Sequence, residues 1–366
     1  MHKLEVVDAA SRVAPAGIVD CDIHNAVAGP AALKKYLPSR LHREFDSLYS
    51  FQLMAPYESR PLFDIMRADS HPPSGVLPGA DLEFMREQLL DRWRVEAGIL
   101  SCIQLLWPSH GQLASALNRA LNDWMEAEWL DHEPRLYGSI AVPAEDAARA
   151  VEEIERVAGN KRFVQVLLVS NTREPLGHVK YQPIFEAAAA YDLPVGVHVG
   201  GCENPITGTG WGTYFFEQRV SFLGAAQAHF VSIVNSDLLA KLPRLKIVWV
   251  ELMFSWIPAL MWRLDRSWEL LGDQLPEGRP APSQLIRDHF WLTTQPIDQV
   301  SNPRHFMQLL EHLDMDDHIM FSTDYPHYDN DSPEHAFPPL LKGELKDKIF
   351  SRNALELFRF DRAAQG

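Results

Sequence analysis

The stretch RFVQVLLVSNTREPLGHVKYQPIFEAAAAYDLPVGVHVG (162–200) decides the fold. It opens and closes on short apolar runs bounded by turn residues, RFVQVLLV (162–169) and LPVGVHVG (193–200). Runs of this kind read as parallel strands covered on both faces. Between them, residues 181–191 carry helical periodicity. Strand, helix and strand in this order form a βαβ unit, whose two strands lie parallel in one sheet.

The pattern extends in both directions. Six more runs read as strands: GIVDCDIH (17–24), AGILSCIQ (97–104), RLYGSIAVP (135–143), LKIVWVEL (245–252), HFWLTTQ (289–295) and HIMFSTDYP (318–326). Helical segments are expected at 81–96, 109–130, 145–158, 217–241, 256–271, 303–313 and 346–358. In the first of them Asp81 is a good N-cap, and Leu82, Met85, Leu89 and Trp93 share one face. Eight alternating pairs without an internal repeat predict an α/β fold, a (β/α)8 TIM barrel, as a single domain over residues 1–366. A doubly wound open sheet would carry a glycine-rich turn after its first strand, and CDIHNAVAG offers none.

One connection is far longer than a usual βα loop. Residues 25–80 follow the first strand and are rich in Pro, Arg and aromatics (YLPSRLHREF, APYESRPLF, SHPPSGVLPG). This insertion is expected to cap the active site. Bulk composition narrows the function classes. The net charge of -15, with no basic patch, argues against nucleic acid. Cys21, Cys102 and Cys202 are too few and scattered for a disulfide framework. No apolar run is long enough to span a membrane, and the N-terminus lacks a signal-peptide core, so a cytoplasmic enzyme is expected.

Barrel active sites lie at the carboxyl ends of the strands. The first strand ends in Asp22-Ile23-His24, where strand alternation puts Asp22 and His24 on one face. The fifth ends in His198, the eighth in Asp324 followed by His327. Two imidazoles and two carboxylates at one mouth are good ligands for zinc or a manganese-type ion. Glu251 ends the sixth strand, where it is a candidate proton carrier or a buried acid paired with Arg263. Gln295, Trp107 and Arg60 are candidate substrate contacts, and His110 follows Trp107 after the second strand. His229 lies within a helical run and reads as a packing histidine.

At these residues the chain resembles the amidohydrolase superfamily, in particular the branch of aminocarboxymuconate-semialdehyde decarboxylase and its hydrolase relatives. The likeness runs from IVDCDIHN through PVGVHVGG and PRLKIVWVE to MFSTDYPHYDND and SRNALELF. It implies metal ligation by Asp22, His24, His198 and Asp324, with Asp324 also handling the proton of an attacking water. Dinuclear members use a carboxylated lysine on the fourth strand. This strand offers Gln165 and no lysine at its end, so one divalent ion is implied, zinc first and manganese as the alternative. Many relatives carry a histidine where this chain has Glu251. The resemblance implies hydrolysis of a small amide, ester or lactone by metal-activated water. The alternative is non-oxidative decarboxylation of an aromatic or enol acid. Decarboxylation would call for a cationic clamp, with Arg40, Arg43, Arg60, Arg67 and Arg173 as candidates. A small-molecule substrate and a homo-oligomer, dimer or tetramer, are expected. A catalytically silent scaffold is the rival class, and it would have no use for four converging ligands.

Overall fold

The computed structural model describes residues 17–50, 65–102, 111–200, 214–275 and 278–360. Trp107, His110 and Arg60 lie outside them. Eight parallel strands follow one another around the sheet in chain order. They are β1 (Ile18–Ile23), β2 (Val95–Leu100), β3 (Leu136–Ala141), β4 (Phe163–Val169), β5 (Val195–His198), β6 (Ile247–Val250), β7 (Phe290–Thr293) and β8 (Ile319–Met320). Backbone bonds join the last strand region to the first: Cys21 N donates to Phe321 O at 3.0 Å, Asp324 N to Asp22 O at 3.0 Å, and His24 N to Tyr325 O at 2.7 Å. These bonds close a (β/α)8 barrel, whose shear and tilt leave no free edge.

Strand alternation divides the core in two. Val19, Cys21, Ala97, Ile99, Tyr137, Val248, Val250, Trp291 and Met320 form one cluster, met by Ala354 and Phe358. Ile18, Val195, Val197, Ile247 and Trp249 belong to the larger cluster with the surrounding helices. The strands therefore bury both faces, which is why their sequences read as continuous apolar runs. No described helix is long and apolar enough to cross a membrane.

The helices follow the sequence pattern with informative exceptions. Asp81 caps its helix by accepting from Phe84 N at 3.1 Å. A helix at Pro282–His289, before β7, was not expected. Its buried Leu285, Ile286 and His289 show the signal, which is short and follows a Pro-rich stretch. The strand expected at 318–326 is cut to Ile319–Met320, because side chains take over its ladder. Ser322 N donates to Thr294 Oγ1 at 3.1 Å, and Thr323 N to Asp20 Oδ1 at 2.9 Å. His229 is a packing histidine, accepting from Leu176 N at 3.1 Å and donating to Ser170 O at 2.9 Å.

The described parts of the insertion divide by location. Helices Pro30–Lys34 and His42–Ser50 lie in its first part. There Tyr36 donates to Glu128 at 2.8 Å and Arg40 to Gln112 at 3.2 Å, on the helical layer. Residues 65–80 run beside the carboxyl end of β8. Met66 bridges to His327, Arg67 N donates to Pro326 O at 2.9 Å, and Ala26 N donates to Gly79 O at 2.8 Å.

Candidate metal centre

Asp22, His24, His198, Glu251 and Asp324 are all buried, and their side chains converge at the carboxyl ends of β1, β5, β6 and β8. Asp22 Oδ2 lies 3.6 Å from His24 Nε2 and 3.4 Å from His198 Nε2. Glu251 Oε2 is 3.2 Å from His198 Nε2 and 4.0 Å from His24 Nε2. Asp324 Oδ1 is 2.8 Å from His24 Nε2 and 2.5 Å from His327 Nδ1. The register of β1 shifts between Asp20 and Ile23, so Asp22 and His24 reach one point from an irregular strand end rather than by simple alternation.

Each donor is aimed by its own local structure. His198 Nδ1 lies 2.8 Å from the Val199 carbonyl, which can only accept, so Nδ1 carries the proton. In the neutral ring Nε2 then presents a lone pair to the site. Asp324 has φ 60° and Glu251 φ 52°, both left-handed, at the points where the chain leaves the barrel wall. Alternation along β6 would send Glu251 toward the helices with Ile247 and Trp249. The left-handed turn redirects it into the mouth, where its backbone N donates to Thr293 Oγ1 at 3.1 Å.

The charges of the site are strongly interdependent. Burial alone would raise the Asp22 carboxyl, yet His24 and His198 hold it far below the usual range. Burial would lower His24, and the charges of Asp22 and Asp324 push it well above the ordinary imidazole value instead. His198 is raised in the same way by Asp22 against burial. Glu251 is pushed up to about 7 by burial and by the Asp324 charge. Both oxygens of Asp22, His198 Nε2 and Asp324 Oδ2 are buried without a hydrogen-bond partner. Orphaned acceptors around one point are costly unless a cation satisfies them. Imidazole and carboxylate donors fit a divalent ion, and Gln165, which donates to Ser139 at 2.9 Å, leaves β4 without a lysine bridge for a second one.

Several neighbours were not legible beforehand. Asp20, fully buried below the site, accepts from Thr323 N and, at 2.6 Å, from the Thr323 hydroxyl. Burial raises its carboxyl to about 7 against these hydrogen bonds. The ion-pair partner of Glu251 is Arg219, 3.8 Å from Oε1, and not Arg263. Arg219 sits on helix Phe215–Asn235, also pairs with Asp329, and lies 5.9 Å from the Tyr328 ring. Gln295 is buried and donates to Asp329 O at 3.2 Å, one residue removed from the donor cluster. Of the arginines expected as a clamp, Arg67 is tied to Asp69 at 2.6 Å and Arg40 points to the helical layer. Asp20 was readable as a second acid in DCDIH, whereas Arg219 and Asp329, 110 residues apart, meet only in the folded chain.

A closed parallel barrel with two imidazoles and three carboxylates at its carboxyl mouth defines a metal-dependent enzyme of the amidohydrolase kind. The family model described as Amidohydrolase matches residues 19–360, and the chain belongs to that family. Among curated relatives, the gamma-resorcylate decarboxylase of Polaromonas sp. is 27% identical over 307 residues, covering 77% of this chain and 89% of that protein. The gamma-resorcylate decarboxylase of Rhodococcus jostii is 26% identical over 312 residues, with 77% and 89% covered. Among solved structures, 5-carboxyvanillate decarboxylase of Novosphingobium aromaticivorans, complexed with manganese and 4-hydroxy-3-methoxy-5-nitrobenzoic acid, superposes with a TM-score of 0.68. It is 18% identical, with 93% of this chain and 95% of that one covered. A dihydroxybenzoic acid decarboxylase of Polaromonas sp., with manganese and 2-nitroresorcinol bound, gives a TM-score of 0.65 at 20% identity, with 95% and 97% covered.

Proposed function

We propose that the protein is a metal-dependent carboxy-lyase that removes carbon dioxide without oxidation from a hydroxylated aromatic acid. The observation that carries this reading is the likeness, over 77% of the chain, to relatives named as decarboxylases of such an acid. It favours decarboxylation over the hydrolysis placed first from sequence. Asp22, His24, His198 and Asp324 are the residues that would hold the ion. When bound, the ion supplies a positive centre for the substrate's carboxylate and adjacent hydroxyl oxygen. Carboxylate-rich ligation suits manganese better than zinc.

The chain's own groups supply the proton. His327 stands at the mouth, oriented by Asp324 through the 2.5 Å contact at Nδ1. It delivers a proton to the ring carbon that bears the carboxylate. The carbon–carbon bond then breaks, its electrons return to the ring, carbon dioxide leaves, and the product carries hydrogen in its place. His327 must be reprotonated from solvent before the next turnover. Arg219 is the cation nearest Glu251 among the described residues, and Gln295 steadies its partner Asp329. The insertion 25–80 caps this mouth, through residues 65–80 beside the β8 loop. Exposed Trp262, Leu270 and Leu271 on helix Ile257–Leu271 offer apolar surface for a homo-oligomer.

The deciding experiment supplies the manganese-loaded protein with 2,6-dihydroxybenzoate, 5-carboxyvanillate and a set of small amides and lactones. We expect carbon dioxide and the decarboxylated phenol from at least one aromatic acid. Turnover of amides or lactones alone would overturn the reading.

A further inference from the structure

We infer that Glu251 is itself a metal ligand, a donor beside Asp22, His24 and His198. This deepens the metal-dependent reading above and rests on it.

Donor spacing is the first argument. Ligands about 2.1 Å from one ion lie about 3.0 Å apart when adjacent in an octahedron, about 3.4 Å in a tetrahedron, and about 4.2 Å when opposite. Glu251 Oε2 is 3.2 Å from His198 Nε2 and 4.0 Å from His24 Nε2. Asp22 Oδ2, the ligand expected from sequence, is 3.4 Å and 3.6 Å from the same two nitrogens. Glu251 thus meets the same geometric test as Asp22. The donor atoms of Asp22, His24, His198 and Glu251 all lie within 4.8 Å of one another.

Orientation is the second. The Val199 carbonyl, 2.8 Å from Nδ1 of His198, fixes the ring so that buried Nε2 faces Oδ2 of Asp22 at 3.4 Å and Oε2 of Glu251 at 3.2 Å. The third argument is the backbone. A left-handed φ of 52° is unfavourable for glutamate and turns a side chain from the helical layer into the mouth. Arg219, 3.8 Å from Oε1, holds the carboxylate's other oxygen, so that Oε2 faces the imidazoles.

Ligation changes what Glu251 does. A carboxylate bound to a divalent ion is withdrawn from acid catalysis, which leaves His327 as the proton carrier. A further carboxylate makes the donor set harder, biased toward manganese over zinc.

The test reads metal, not turnover. The full-length protein is stripped with chelator and titrated with Mn2+ alone. The ions bound per chain are counted, and inner-sphere waters are counted by water-proton relaxation. We expect one ion per chain in the wild type. Glu251→Ala should gain about one water and bind Mn2+ about tenfold or more weakly. Stoichiometric manganese with the same water count in Glu251→Ala and wild type would overturn the assignment. Should the alanine variant not fold, Glu251→Gln takes its place: weaker Mn2+ binding than wild type would support the assignment, and unchanged affinity would overturn it. A chain that binds no Mn2+ at all would sink the metal-dependent reading itself.

Discussion

At Asp331 a partly buried carboxyl sits behind the site, accepting from Ile297 N at 3.1 Å. Burial lifts it to about 7, with the charges of Asp329 and Asp324 adding to the effect. Between about pH 4, the unfolded value, and pH 7 the folded chain holds a proton that the unfolded chain releases. Stability from this group is therefore present at low pH and lost as pH rises through that window. Asp331→Asn cannot ionise and keeps an oxygen for Ile297. Urea unfolding in chelator should show the variant gaining on wild type from pH 5 to pH 8, and a gap that does not move with pH would refute the cause assigned here. Residues differed in how far sequence could take them. His198 and Asp324 were legible because each ends an apolar run in a polar residue that a core would not supply. Glu251 was expected in the mouth, but alternation alone points it to the helices, and the left-handed turn that redirects it has no sequence signature. Arg219 could not be found from sequence, because a cation at helical spacing reads as a solvated face until its partners are known.

The carboxyl end of β8 shows how an element can be completed by side chains. Only Ile319–Met320 makes ladder pairs with β7; Phe321 N then donates to Ile349 O at 2.8 Å, and the next two amides are taken by the side chains of Thr294 and Asp20. Thr323 is the keystone: its hydroxyl donates to Asp20 Oδ2 at 2.6 Å and accepts from Tyr325 N at 3.1 Å. Asp324 lies between these anchors. Thr323→Val leaves a buried carboxylate and a buried amide short of one partner each. It should cost about 2–3 kcal/mol in urea unfolding, with Thr323→Ser close to wild type. Equal losses in both variants would assign the effect to packing. Sequence showed this element as a long apolar run, and the run is real, but strand propensity says nothing about which groups accept its amides. The helix Pro282–His289 is hard to read in the sequence for a related reason: it is short, it starts on Pro282 just after Pro280, and beyond that proline its buried face is only Leu285, Ile286 and His289.

On the scale of the whole molecule, the barrel was the most legible property, since eight repeats of one signal cannot all be accidental. The insertion was legible as a departure in length, but its Pro-rich composition hid the helices Pro30–Lys34 and His42–Ser50. A divalent ion that binds only the folded barrel stabilises it by mass action, by about 2.7 kcal/mol at a free concentration one hundred times Kd. Calorimetry with Mn2+ should therefore show a Tm that rises with ion concentration and falls when chelator is added. A Tm indifferent to both would exclude a native-state site. The seam between β1 and β8 makes the donor geometry a report of barrel closure. Asp22 and His24 end the first strand and Asp324 follows the eighth, and the hydrogen bonds of Asp22 O with Asp324 N and His24 N with Tyr325 O join them. A barrel opened at this seam would part Asp324 from His24, so a loss of closure would read out as a loss of the ion-binding geometry.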